Sequence, residues 1–405
     1  MALAGSTCLV TGAGGFLGQR IICQLLEEQE GLAEIRALDK AFSSSALQNF
    51  QQLKTKTLLT ILEGDIRDTA FLQSAVLGVS FVIHSASIID TLGCIDRQTL
   101  WDINVRVATE KSPVCLHSLV WCTESSIFIQ LLFRGTQLLL ETCLHNDVQY
   151  FIYTSSIEVT GPNSKGDPIY KGDEDTKYQI TKGMPYAETK REAEKIVLES
   201  DGLPLKNGHR FVTCSLRPTY IFGEESSFFL HHLDDSIQNK NVFLRISRKE
   251  ALVNPVYVGN AAWAHIQAAK AMKDPEKVKS IRGKFYFISD DTPHLSYADF
   301  NYELTKEMGF GVEAKPQMPL TVLYYYALFL EIVSFLLKPF VRYVPTINRH
   351  LVILLNTPFT LSYRKAQRDF GYFPHYTWEE AKQRTCQWVA KIAPQRAEYL
   401  KNKSV

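Results

Sequence analysis

The chain has 405 residues, 45% of them apolar, enough to bury a large core in two or three domains or in one extended α/β unit. Its 44 basic and 43 acidic residues leave a net charge of +1 and are scattered, so no field favours a polyanion and nucleic acid is excluded as a partner. Eight cysteines with no CxxC pair and no framework spacing point to reduced thiols in a reducing compartment, without disulfides or a metal site.

The N-terminal "MALAGSTCLVTG" has no basic region and no unbroken apolar run, so it does not read as a secretory signal. Short β-rich runs then alternate with helix-period segments: "TCLVTG", "QRIICQLLEEQEG", "EIRALD", "LLTILEGD", "VSFVIHSAS", "VQYFIYTSS" and "FVTCSLRPTYIFG". Several of the β runs are apolar throughout, as strands buried on both faces must be. The alternation predicts an α/β fold with a doubly wound parallel sheet.

Gly12, Gly15 and Gly18 form T-G-x-x-G-x-x-G, with Phe16 and Leu17 inside it, directly after the first apolar strand and before a helix. A turn without Cβ atoms lets backbone N–H groups approach a pyrophosphate at the positive end of that helix. Asp39 follows 21 residues after Gly18, at the end of "EIRALD". A carboxylate there hydrogen-bonds an adenosine ribose 2′-OH and repels a 2′-phosphate, which favours NAD over NADP. Asp65 and Ile66 end the third strand, where the adenine would lie, and Ser85 ends the fourth, beside the pyrophosphate and nicotinamide ribose.

Between Asn104 and Gly135 a helical pattern is interrupted. Removing 28 residues, about 106–133, joins "INV" to "RGTQLLLETC" with apolar residues at helical intervals. Pro113 would break any helix carried through the segment. It reads as intron-like sequence from an alternative transcript rather than as a functional surface loop. This form is then expected to fold poorly or to be inactive, and its deletion to restore activity.

Tyr186 and Lys190, in "PYAETK", stand four residues apart, on one face of a helix. An ammonium beside a phenol lowers the phenol's pKa toward working pH, so that it can take a proton from an alcohol. Thirty residues earlier, "YTSSIEV" ends the fifth strand; its Ser155 or Ser156 could hold the reacting oxygen, and the S-x-x-V-x-G register favours Ser156. Beyond residue 225 the pattern loosens into a smaller lobe, 226–405, set against a nucleotide-binding domain of 1–225. Within it, 319–337 is a run of nineteen residues with one charge, Glu331, at the lower limit for spanning a bilayer. Three clustered tyrosines, 324–326, favour membrane association, and the mid-segment glutamate argues against a span.

With these features in order, the chain resembles the extended short-chain dehydrogenase/reductase superfamily, and within it the 3β-hydroxysteroid dehydrogenase/Δ5-Δ4 isomerase family. The carriers are "CLVTGAGGFLGQRI", "LEGDI", "SSIEVTGPNS", "LRPTYIFGE", "NPVYVGNAAWAH", "GKFYFISDDTPH" and "YRKAQRDFGY". The resemblance implies a Rossmann-type sheet, a C-terminal substrate lobe and a membrane-associated helix, in a protein of endoplasmic reticulum and mitochondrial membranes. It further implies NAD-dependent oxidation of a Δ5 steroid's 3β-hydroxyl, followed by a shift of the double bond, and is compatible with a homodimer. Tyr186 would be the base, Ser156 would bind the oxygen, and Lys190 would hold the nicotinamide ribose. Asn104 would help position this machinery. The family pattern Y-P-x-S-K is here Y-A-E-T-K, which is expected to put Ala187 and Glu188 beside the cleft. Oxidation of another sterol, or nucleotide binding without turnover, are the competing readings.

Overall fold

The computed structural model describes residues 3–28, 31–53, 56–89, 97–105, 135–179, 184–337, 340–341 and 343–403. Seven parallel strands form one sheet: β1 (Thr7–Thr11), β2 (Glu34–Asp39), β3 (Leu58–Glu63), β4 (Phe81–His84), β5 (Tyr150–Thr154), β6 (Val212–Pro218) and β7 (Lys284–Ile288). Their spatial order is β7-β6-β5-β4-β1-β2-β3, all parallel, with the strand order reversing between β1 and β4. The central strands are buried on both faces, as their unbroken apolar runs require.

Helices α1 (Phe16–Glu28), α2 (Ser44–Gln52), α3 (Thr69–Val76), α4 (Arg97–Asn104), α5 (Thr136–His145), α6 (Pro185–Glu199), α7 (Ser227–Gln238) and α8 (Val258–Lys273) follow in chain order. One core, with Ile21, Ile22 and Leu25 of α1 and Ile266 and Ala269 of α8, covers one face of the sheet. A second, with Leu72 of α3, Leu139 of α5 and Val197 of α6, covers the other. The expected boundary at 225 does not hold the sheet on one side of it. The chain returns after the α7 region to supply α8 and the edge strand β7, so the nucleotide-binding unit is completed by residues from the C-terminal half.

The segment 106–133 lies outside the described residues, but its two ends do not. Val105 N–H donates to Trp101 O at 3.0 Å, continuing α4, and Gln137 N–H donates to Val105 O at 3.0 Å. Thr136 Oγ1 donates to Asn104 O at 2.8 Å, and a Cβ on Gly135 would stand 2.1 Å from Ile103 O. Once 28 residues are subtracted, residues 136 and 137 become 108 and 109: Gln137 meets the carbonyl four positions before it through its backbone N–H, and Thr136 does so through its side chain. The two helices therefore share one i→i−4 register across the interruption.

The apolar run forms helix Leu320–Leu337. Leu320, Leu323, Tyr324, Ala327 and Leu330 pack against Leu351 and Val352 of helix Arg349–Asn356. Glu331 turns the same way and accepts from Arg349 N–H at 2.7 Å and from its Nε at 2.8 Å. Val322, Tyr325, Tyr326, Phe329, Ile332, Phe335 and Leu336 face outward, continued by Phe340 and Val341.

Candidate active site

The carboxyl ends of β1, β2, β4, β5 and β6 open into a cavity of about 650 Å³. Gly12, Gly15, Phe16, Leu17, Gly18, Asp39, Asp65, Ile66, Ser85, Ser156, Tyr186 and Lys190, drawn from six separate stretches of sequence, all line it. Parallel sheets bind ligands at this edge because helix N-termini converge on the crevice where strand order reverses.

The nucleotide end is shaped by close backbone approach. Gly12 has φ +73°, and a Cβ there would stand 2.6 Å from Ala86 N. A Cβ on Gly18 would stand 2.0 Å from Gly12 O, so the first turn of α1 packs on the loop only as glycine. Asp39 Oδ2 accepts from Gly14 N–H at 2.8 Å and its Oδ1 from Lys40 N–H at 2.6 Å, which fixes the carboxylate beside the loop. Asp65 is engaged by Arg67, whose guanidinium at 2.6 Å holds its pKa down.

At the other end, Pro185 at the first position of α6 starts the helix, and the i, i+4 spacing carries Tyr186, Lys190 and Glu194 down its buried face. Lys190 Nζ donates to Thr154 O at 2.7 Å and lies 4.9 Å from the ring centre of Tyr153. Burial pulls its pKa down to about 7, opposed by Glu194. Thr154 is itself fixed by His265: Nδ1–H donates to Ala261 O at 2.8 Å, so Nε2 accepts from Thr154 Oγ1 at 2.8 Å.

Ser156 caps the short turn Ile157–Val159, accepting from Glu158 N–H at 3.2 Å, and is hydrogen-bonded to the Tyr186 hydroxyl. Ser155, the alternative, has a buried Oγ with no partner and is not in contact with that phenol by any hydrogen bond. The expected drop in the Tyr186 pKa is not found. Burial drives it upward, with the Glu158 charge adding to the rise and only the Ser156 hydrogen bond opposing it. Spacing puts Lys190 on the same buried helix face, but desolvation of the phenolate sets the direction of the shift.

Asn104 holds the catalytic helix from behind. Its Nδ2 donates to Thr189 Oγ1 at 3.2 Å, and Thr189 Oγ1 donates to Tyr186 O at 2.7 Å. Because Thr136 Oγ1 donates to Asn104 O, it accepts from His84 Nε2 at 2.9 Å, and His84 Nδ1 accepts from Thr11 Oγ1 at 2.6 Å. One buried chain thus runs from β1 through His84 to α6. Burial holds the His84 pKa at about 3, which keeps the ring neutral.

Ala187 and Glu188, expected beside the cleft, do not line it. Residues not singled out from sequence do: Glu158, Tyr220, Phe228, Tyr297, Leu351, Leu354 and Leu355. Glu158 was legible, two residues after the chosen serine. The leucines belong to helix Arg349–Asn356, far along the chain, and only the folded arrangement brings them in.

The fold and site define a Rossmann-type α/β protein with a serine, tyrosine and lysine at the ligand-binding edge of the sheet. The sequence model of the 3-beta hydroxysteroid dehydrogenase/isomerase family matches residues 9–120 and 114–320, and the chain belongs to that family. Among solved structures, it is similar to UDP-glucuronic acid 4-epimerase from Bacillus cereus in complex with NAD: TM-score 0.60, 17% identity, covering 96% of this chain and 99% of that one. It is also similar to DesIV, a dTDP-glucose 4,6-dehydratase from Streptomyces venezuelae with NAD bound: TM-score 0.60, 17% identity, 96% and 98% covered. The epimerase Mth375 from Methanothermobacter thermautotrophicus gives a TM-score of 0.65 at 14% identity, with 98% and 96% covered. At these identities the likeness is one of fold.

Proposed function

We propose that this chain is an NAD-dependent oxidoreductase of the extended short-chain kind, which oxidises the 3β-hydroxyl of a Δ5 steroid to the ketone and then moves the double bond to Δ4. The observation that carries the reading is the single cavity shared by the glycine loop, Asp39, Ser156, Tyr186 and Lys190, closed at its far end by Phe228, Leu351, Leu354 and Leu355. Its volume of about 650 Å³ falls within the ~300–1,000 Å³ usual for small-ligand sites. NAD fits the nucleotide end: the cradle at Gly12 and Gly18 admits no Cβ, and Asp39 is fixed where a ribose diol would be read. When bound, NAD supplies the acceptor for the hydride leaving C3.

In this reading Tyr186 takes the proton from O3, and the Ser156 hydroxyl orients that oxygen. Lys190, its pKa pulled down to about 7 by burial and anchored on Thr154 O, holds the ribose and supplies positive charge when the phenolate forms. The outward apolar face of Leu320–Leu337 would lie in the lipid interface rather than span the bilayer. Its inner face is already packed on protein, and its one charge is paired with Arg349. Helix Arg349–Asn356 touches both that helix and the cavity, so a lipid-dissolved steroid would reach the site from the membrane side. Endoplasmic reticulum and mitochondrial membranes are the proposed location.

The test is NADH production on adding NAD and a Δ5-3β-hydroxysteroid to membranes expressing the chain, with Tyr186→Phe as control. Turnover by a version lacking residues 106–133, faster than by the full chain, and none by the control is expected. NAD-dependent thermal stabilisation without turnover on that steroid would refute the substrate assignment while leaving the nucleotide site intact.

A further inference from the structure

Glu194 stands one turn beyond Lys190 on the buried face of α6, and it does not line the cavity. Its oxygens are taken by β6: Oε2 accepts from Ser215 Oγ at 2.8 Å and from Arg217 Nε at 3.0 Å, and Oε1 accepts from Arg217 Nη2. The Arg217 guanidinium is itself enclosed, 3.6 Å from the ring centre of Phe285 in β7. Its Nη1 donates to Thr160 Oγ1 at 3.1 Å, and Arg191 of α6 donates to Val159 O at 3.2 Å. The helix bearing Tyr186 and Lys190 and the turn that follows Ser156 are thus braced on β6 through one buried ion pair.

Stability alone does not call for these charges. Taking a carboxylate and a guanidinium out of water costs about what their attraction returns, and an apolar pair of like volume holds a core as well. The charges have a use toward Lys190. The titratable groups facing that ammonium are Tyr153 of β5, His84 of β4, and Tyr186 and Glu194 of α6. Burial keeps both phenols and the imidazole uncharged, so among these groups Glu194 supplies the negative charge that opposes the desolvation of Lys190. We infer that Glu194, gripped by Arg217, is a positioning residue of the site: it acts through Lys190, as the countercharge behind the ammonium that would hold the nicotinamide ribose. The inference rests on the nucleotide part of the reading above and is independent of which alcohol is oxidised.

NAD affinity of the full-length chain, read from thermal stabilisation against NAD concentration between pH 5 and pH 9, tests this with no steroid present. The parent should bind NAD about fivefold more weakly once the pH has risen past the Lys190 pKa of about 7, the difference between a charge-assisted and a neutral hydrogen bond to the ribose. Glu194 raises that pKa, so in Glu194→Gln the fall should begin at lower pH: weaker binding than the parent near pH 7, and equal binding at pH 9, where both amines are neutral. Glu194→Asp keeps the charge and should restore the parent curve. The double variant Glu194→Gln/Arg217→Met leaves no unpaired charge in the core and should show the same displaced curve as Glu194→Gln. A loss of affinity that is uniform at every pH, as a structural role alone would give, would overturn the assignment, and so would an unmoved curve in both variants or a parent affinity that does not change with pH. Each of these outcomes leaves NAD binding and the steroid reading standing. A parent that NAD does not stabilise at any pH would overturn the assignment together with the nucleotide site. Displaced curves beside absent turnover on the steroid would support it and refute the substrate reading alone.

Discussion

Deleting residues 106–133 should leave the sheet and site where they are and make the protein more stable. The perturbation joins Val105 to Arg134, and the Gln137 N–H to Val105 O bond already holds the i→i−4 register that the shortened chain needs. The gain is the closure entropy of a 28-residue excursion, about 3 kcal/mol from (3/2)RT ln n. With an unfolding entropy of about 2.1 cal/mol/K per residue, that gain raises Tm by roughly 4 °C. Activity should rise as well, because Asn104 ends α4 immediately before the junction and its side chain holds Ile88 and, through Thr189, Tyr186. Scanning calorimetry of the two forms with and without NAD, beside NADH production, makes the comparison. A shortened form that melts lower, or two forms of equal specific activity, would refute the reasoning: the register would then be incidental, or the segment harmless.

Other outcomes follow from the same geometry. Gly18→Ala should abolish NAD-dependent thermal stabilisation, since the methyl would stand 2.0 Å from Gly12 O; a retained shift would show that the loop yields. Asp39→Asn should weaken NAD about tenfold, or ~1.4 kcal/mol, and admit NADP, read as the ratio of kcat/KM for the two nucleotides; an unchanged ratio would remove Asp39 from the ribose site. His84 and His265 are buried with pKa values lowered to about 3 and about 4, below the ~6.5 of an unfolded histidine. The unfolded state therefore binds more protons between pH 6.5 and 4, and stability must fall as pH falls through that window. At pH 5 the loss is about 2 kcal/mol for each histidine, and urea unfolding at pH 7 and pH 5 that gave equal free energies would contradict it.

Much of the site was readable from local spacing because local spacing is what builds it. The glycine loop, Asp39 and the Tyr186/Lys190 pair each sit on one strand end, one turn or one helix face, and helix and strand periods fix those relations without tertiary knowledge. The edge strand Lys284–Ile288 was not readable as part of the nucleotide-binding unit, since the chain makes α7 and α8 before returning to it. The leucines of helix Arg349–Asn356 carry no motif and acquire a role only by packing. The Tyr186 pKa shows a different limit: a motif reports which groups are neighbours, whereas the sign of the shift depends on how much water the fold removes.

The shared register of α4 and α5 has a meaning at the level of the gene. If 106–133 is intron-like sequence, the side chains of α5 face the sheet in the same way whether or not its codons are retained. The path between the nucleotide strand and the catalytic helix then passes through the hydroxyl of Thr136, which lies just beyond the junction.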